Sequence, residues 1–248
     1  MNGAPVALVT GASRGIGAGI AEALARTGYG VAVNYLCDHR AAAAVVERIR
    51  AGGGVARAFQ ADVTSTSAAQ ALHEDVRREL GEVHALVLNA TGPQPDVPLD
   101  DLDRKDLQDQ LDHFVLGPLA LVQAVVPAMR ERRAGRIVFI GSEVVDLAPA
   151  HTAAYTAAKS AQAAMARVWA RELAPHGITV NTVSPGFIPG DRHRDTPQAA
   201  IEDYTAQVPA GRLGTASDIG AAVAFLCSEA AAFIAGERLR VTGGHTIG

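Results

Sequence analysis

The sequence predicts an α/β protein in which one doubly wound, mainly parallel sheet of about seven strands is covered by helices on both faces. Two observations predict this. Short apolar runs alternate with helical patterns along the whole chain, as expected for parallel strands joined by crossover helices. The first apolar run is followed by a glycine-rich turn, Thr10-Gly-Ala-Ser-Arg-Gly-Ile-Gly17, and then by a helical period. At 248 residues and 48% hydrophobic content, the chain is long enough for one large core, so a single domain over 1–248 is expected.

The elements follow in order. Pro5 to Val9 reads as the first strand, and Ile20, Ala23, Leu24 and Thr27 carry the first helical period. Gly28-Tyr-Gly30 closes that helix and Val31 to Asn34 forms the second strand, which completes a parallel βαβ unit. Further strands are expected at Val55 to Gln60, Ala85 to Leu88, Arg136 to Ile140, Thr179 to Val183 and Arg238 to Val241. Ligands of such a sheet bind beyond the carboxyl ends of its strands. The segment 187–209 is rich in charge and turn residues and lacks periodicity, as a substrate lid would.

Two constellations carry chemistry. Gly11, Gly15 and Gly17 lack Cβ atoms, so the turn can tighten, the backbone can approach a pyrophosphate, and the helix can aim its free amides at the anion. Tyr155 and Lys159 lie four apart in an alanine-rich, helix-favouring segment and therefore share a face. An ammonium beside a phenol favours the phenolate, and such a pair can serve as a general acid or base. The competing reading is a tyrosine and a solvated lysine on an ordinary helix.

Bulk properties exclude other classes. A formal charge of -4 with scattered basic residues argues against nucleic acid as a partner. Cys37 and Cys227 stand far apart, without partners at metal-ligand spacing, so neither a disulfide framework nor a metal site is expected. Neither a basic leader nor a charge-free apolar run of ~20 residues is found, so no membrane span is expected and a reducing cytoplasm is the expected setting.

Over nearly its whole length the chain resembles the short-chain dehydrogenase/reductase family. The shared motifs are Thr10 to Gly17, Asp62-Val63, Ser142 after a strand, Tyr155 with Lys159, Ser184-Pro-Gly-Phe-Ile188, Arg212-Leu-Gly214 and Gly243-Gly244. Its 3-oxoacyl carrier-protein reductase-like branch is the nearest in flavour, judged from the glycine turn and from Ile178 to Phe187. The resemblance implies a Rossmann-type fold and a nicotinamide cofactor held by Gly11, Ser13, Arg14, Gly15, Ile16 and Gly17 of the turn. It adds Asn34 and Tyr35 at the second strand, Asp62 and Val63 at the adenine, Asn89 and Ala90 after the fourth strand, and Pro185, Gly186 and Ile188 after the sixth. It also implies roles: Tyr155 gives a proton to a carbonyl oxygen, Ser142 holds that oxygen, and Lys159 lowers the tyrosine pKa and bonds the nicotinamide ribose.

On this alignment Tyr35 occupies the position where NAD users carry an acid, and Arg14 stands where a base meets the 2'-phosphate, so NADP(H) is favoured over NAD(H). Leu36 and Asp38 count against it. The same resemblance implies a homotetramer paired through the helix that carries Tyr155. Met165 and Trp169 on that helix suit either such a contact or an internal core.

Three departures stand out. The pattern after the fourth strand reads Leu88-Asn-Ala-Thr91 with Gly92 one place late, Phe114 replaces a catalytic asparagine of the family, and Gly190 replaces a threonine that touches the nicotinamide end. In the family that asparagine supports a water chain to the lysine, so either solvent reaches Lys159 directly here or His113 assists. Arg192, His193 and Arg194 form a cationic cluster on the lid, Glu143 and Asp146 suit either a pocket wall or an ion pair within the lid, and Arg130 to Arg136 suit either a carrier-protein dock or plain solvation. The expected activity is NADPH-dependent reduction of a small-molecule carbonyl, a carrier-bound 3-oxoacyl thioester or polyketide-like ketone among the candidates. The alternatives are NAD-dependent oxidation of a secondary alcohol or sugar, and cofactor binding with lost or narrow catalysis.

Overall fold

A computed structural model describes residues 3–247, the side chain of Arg192 excepted. The first half runs β1 (Val6–Val9), α1 (Gly15–Arg26), β2 (Gly30–Tyr35), α2 (His39–Ala51), β3 (Ala56–Gln60), α3 (Thr66–Glu79), β4 (Val83–Leu88) and α4 (Arg104–Leu111). A π-helical turn (Asp112–Leu116) joins α4 to α5 (Gly117–Glu131). Then follow β5 (Gly135–Ile140), α6 (Val144–Leu147), α7 (Ala153–Leu173), β6 (Ile178–Pro185), α8 (Gln198–Gln207), α9 (Ala216–Leu226) and β7 (Arg238–Val241). The strands make one sheet in the order β3-β2-β1-β4-β5-β6-β7, and every pairing is parallel.

All seven expected strands are present. β6 runs on to Pro185 through four polar side chains, Thr179, Asn181, Thr182 and Ser184, and all four are buried. Asn181 shows how such burial is tolerated: its amide donates to the Ile234 carbonyl (2.8 Å) and accepts from Glu237 N (3.0 Å). Alternation within a strand divides the core in two. Ala7 and Val9 face a cluster with Leu24, Ile49 and Val223 of α1, α2 and α9, whereas Val6 and Leu8 face Leu72, Leu121 and Ala170 of α3, α5 and α7. The continuous stretch Arg104–Glu131 is long and apolar enough to cross a membrane, but its buried Leu121, Val125 and Met129 sit against the sheet.

The segment expected as an aperiodic lid contains α8. None of its residues is buried, so no apolar stripe marks the helix in the sequence.

The order of strands reverses between β1 and β4, and Thr10 closes that junction. Its hydroxyl, on a residue 1% exposed, accepts from Asn89 N and Ala90 N, each at 2.9 Å, and donates to the Val87 carbonyl at 3.3 Å. The Asn89 side chain returns the contact with bonds to the carbonyls of Thr10 (2.9 Å) and Gly11 (3.1 Å). Gly11 adopts φ +61°, and a Cβ there would lie 2.9 Å from Ala90 Cα; at Gly17 one would lie 2.4 Å from the Gly11 carbonyl oxygen. Thr10→Val keeps the shape and removes the acceptor of two backbone amides. We expect a loss of about 1–3 kcal/mol, read as a lower urea midpoint at unchanged slope. An unchanged midpoint would refute the clamp.

Candidate active site

The ends of β1, β4, β5 and β6 open on one crevice. α1 starts there without a side-chain cap, whereas Asp38, Ser65, Asp103 and Thr215 cap α2, α3, α4 and α9. α5, α6, α7 and α8 also lack a side-chain cap, but only α1 follows the glycine turn, where free amides would suit a pyrophosphate.

Ser142 lies two residues beyond the end of β5. Its Oγ accepts from Val144 N (3.3 Å), and its carbonyl accepts from Arg238 Nη2 (3.2 Å). Arg238 also donates to Ser184 Oγ (2.9 Å) and pairs with Asp146 (2.6 Å), which Arg240 holds as well at 3.1 Å. Burial pushes the Asp146 carboxyl up, but hydrogen bonds from Arg240 and Arg238 prevail and hold it below the usual range. Asp146 is therefore the ion-paired anchor of this loop.

Tyr155 and Lys159 sit one turn apart on α7, the lysine 5% exposed. Lys159 Nζ donates to the Ile140 carbonyl (2.7 Å) and to Gln162 Oε1 (3.3 Å), and it lies 3.8 Å from the Phe114 ring centroid and 5.8 Å from that of Tyr155. Phe114 meets Tyr155 edge-on, ring centroids 5.4 Å apart. The π-helical turn presents Phe114 here, 1% exposed and in contact with both members of the pair. His113 points elsewhere: its Nδ1 donates to the Asp109 carbonyl (2.8 Å), and its ring would stand 2.6 Å from a Cβ at Gly92. The displaced glycine thus makes room for that histidine.

The nucleotide side is more occupied than the sequence suggests. Asn34 is 2% exposed, and its amide bonds Gly11 N (3.2 Å) and the carbonyls of Phe59 (3.3 Å) and Ala61 (3.2 Å), so it braces the glycine turn. Tyr35 is buried with its hydroxyl on His39 Nδ1 (2.9 Å). Arg14 is exposed and pairs with Asp38 (3.3 Å) and with Asp191 of the lid (3.5 Å). Thr64 bonds Asp62 through its hydroxyl (2.7 Å) and its backbone N–H (2.9 Å), which holds that carboxyl below its usual range. Val63 and Ile188 are buried, Ser13, Ile16 and Ala90 are half-buried, and Gly15 (φ +53°) has open space where a Cβ would stand. Pro185 ends β6, and Gly186 lets the Tyr204 hydroxyl approach to 2.8 Å from where its Cβ would be. Gly190 is extended at φ -165°, with nothing near enough to exclude a side chain.

Two groups were not picked out by sequence reasoning. One is Gln162. The other is the tie that holds α8: the Tyr204 hydroxyl donates to Glu143 Oε1 and accepts from Phe187 N (2.8 Å), while His245 Nδ1 lies 3.0 Å from Glu143 Oε2. Glu143 is buried and joins α8 to the C-terminal segment. Of the cationic cluster, His193 meets Phe187 edge-on with centroids 4.6 Å apart, Arg194 pairs with Asp191 (3.1 Å), and the Arg192 side chain lies outside the described residues. The arginines near 130–136 cap the opposite end of the sheet, with Arg132 on the Val83 carbonyl, Arg133 on that of Pro175 and Arg136 paired with Glu229. Trp169 packs internally on Phe139, ring centroids 5.8 Å apart.

Comparison with known proteins places the chain in a family. Residues 11–246 match the family described as Enoyl-(Acyl carrier protein) reductase, a short-chain dehydrogenase model. The chain is 41% identical over 239 residues to the 3-oxoacyl-(acyl-carrier-protein) reductase FabG of Escherichia coli (strain K12), covering 96% of each chain. It is 40% identical to that of Salmonella typhimurium and 39% identical to that of Staphylococcus aureus (strain Mu50), again with 96% of each chain covered.

Burial and the Glu143 hydrogen bond push the Tyr204 phenol well above its ordinary value, so it stays protonated through the usual phenol range. The tie to the lid is complete below pH ~10 and is lost as the pH rises through the raised value. Tyr204→Phe removes it at all pH values. Faster limited proteolysis within 187–209 at neutral pH, with the rest of the chain resistant, is the expected result; equal cleavage rates would refute the tie.

Proposed function

Because the chain belongs to the short-chain dehydrogenase/reductase family of NAD(P)-dependent oxidoreductases, we propose that it is an NADPH-dependent ketone reductase acting on 3-oxoacyl thioesters borne by a carrier protein. The observation that carries this reading is the buried Lys159 on the face of α7 that bears Tyr155, at the end of β5 where Ser142 follows. The names of the similar reductases support the substrate class.

The nicotinamide, when bound, supplies hydride to the carbonyl carbon. Tyr155 gives its proton to the carbonyl oxygen, Ser142 holds that oxygen by a hydrogen bond, and the Lys159 cation stabilises the phenolate left behind. The free amides of α1 and the glycine turn would hold the pyrophosphate. Asp62 and the Asn89-Ala90 backbone would border the rest of the dinucleotide.

Purified protein is tested for NADPH oxidation on 3-oxoacyl thioesters, 2-enoyl thioesters and plain ketones, with Tyr155→Phe alongside. Turnover of the 3-oxo substrates that falls by roughly 10²- to 10⁴-fold in the variant is expected. Preference for the enoyl substrates, or turnover that survives in the variant, would overturn the reading.

The choice of cofactor turns on one contact. Arg14 would meet the 2'-phosphate, but Asp38 already engages it at 3.3 Å, and that carboxylate favours the NADH alternative. Asp38→Asn keeps a good cap for α2 and removes the competing charge. We expect kcat/KM to shift toward NADPH over NADH by about tenfold, or ~1.4 kcal/mol. No change in the ratio would show that Arg14 does not read the phosphate.

A further inference from the structure

An ammonium withdrawn from water must be met by suitable partners or it is costly to keep. Around Lys159 the partners named above are all neutral: the Ile140 carbonyl, the Phe114 ring face and Gln162 Oε1. Gln162 lies three residues on, on the same face of α7, and is 1% exposed. Its other end is also committed, because Nε2 donates to the Phe114 carbonyl at 3.2 Å. One amide thus joins the lysine to the π-helical turn, and that turn presents the Phe114 ring to the lysine. A small cavity bounded by Thr10, Ala90, His113 and Gln162 reaches this amide, and Lys159 is not among its walls.

Each of these three contacts is itself neutral. Dipoles and a π face stabilise a cation without cancelling its charge, whereas a carboxylate would cancel it. Of the titratable groups on neighbouring elements, His113 on the π-helical turn bonds its own helix, and Glu143 beyond Ser142 bonds Tyr204 and His245. Tyr155 is the acid that shares the α7 face with this cation.

We propose that Gln162 is a positioning residue for Lys159, its side-chain amide fixing the ammonium against Phe114 and Ile140 so that its charge acts on Tyr155. The inference rests on the reading of Tyr155 and Lys159 as the working pair and adds the group that sets their geometry. Phe114 gains a role by it, because the ring replaces a polar neighbour with a cation-binding face while the amide supplies the hydrogen bond.

Two variants test it. Gln162→Leu deletes both hydrogen bonds at similar volume, and Gln162→Glu retains an acceptor but adds a charge that offsets the lysine. In both, Tyr155 is expected to hold its proton more tightly. The alkaline limb of kcat should move up by about one pH unit, and kcat at neutral pH should fall about tenfold.

A second readout needs no turnover, which separates failure of this inference from failure of the functional reading. Tyrosinate absorbance is titrated in each protein with and without Tyr155→Phe, so that the difference reports Tyr155 alone. Tyr29, pushed up to about 12 chiefly by burial, and the raised Tyr204 ionise late and do not crowd the difference. An upward shift of the Tyr155 titration in either folded variant supports the proposal. A titration and an alkaline limb that stay in place while thermal stability or kcat drops would reduce Gln162 to a packing residue and overturn it.

Discussion

The crevice depends on the junction that Thr10 makes between β1 and β4. Parallel strands diverge in their crossovers at this point, one toward α1 and the other toward α4, so the backbone beyond each strand has no sheet partner. The Thr10 hydroxyl and the Asn89 amide supply those partners, and the glycine turn is thereby held at a fixed distance from Ala90. Asn34 braces the same turn from the β2 side. The side chains of Asn34 and Asn89, which resemble cofactor contacts by position, instead bond the backbone of the turn and its neighbours.

A second layer of support surrounds Ser142. Arg238 reaches the Ser142 carbonyl, Ser184 and Asp146 together, which ties the loop after β5 to β6 and β7. On its other side Glu143 carries the lid through Tyr204 and the C-terminal segment through His245. Adjacent residues in sequence therefore have different partners, Ser142 Oγ accepting from Val144 N and Glu143 bonding Tyr204 and His245. One peptide unit therefore joins the residue bonded to α8 to Ser142.

What could be read from the sequence follows from where periodicity and local chemistry reside. The strands of the sheet announce themselves because both faces are buried, as in Val6 to Val9. The Tyr155 and Lys159 pair is legible because helix geometry turns a spacing of four into proximity. α8 is invisible because it buries nothing, and Gln162 because one polar residue in an alanine-rich helix has no pattern. Glu143 was legible as unusual, but its partners at positions 204 and 245 come together only through the fold. Arg14 shows the limit most sharply: its place in the turn suggests a phosphate contact, while Asp38 and Asp191 become its neighbours only when β2 and the lid are in position.

Phe114 is the departure that most suggests loss of function when read alone, because a phenyl ring cannot hydrogen-bond a water or a lysine. Its surroundings argue against loss. A site losing its chemistry has no reason to keep an ammonium 5% exposed, since burial of an unneeded charge is costly and solvation is a substitution away. Here the lysine is kept buried, and a carbonyl, an amide oxygen and an aromatic face are each suitably placed to meet an ammonium. The same amide satisfies the carbonyl of Phe114 itself, so the residue that removed a polar side chain leaves that backbone atom with a partner. Such mutual satisfaction involves the π-helical turn, α7 and the end of β5 at once. It marks Phe114 and Gln162 as one alternative way of holding a cation beside a phenol.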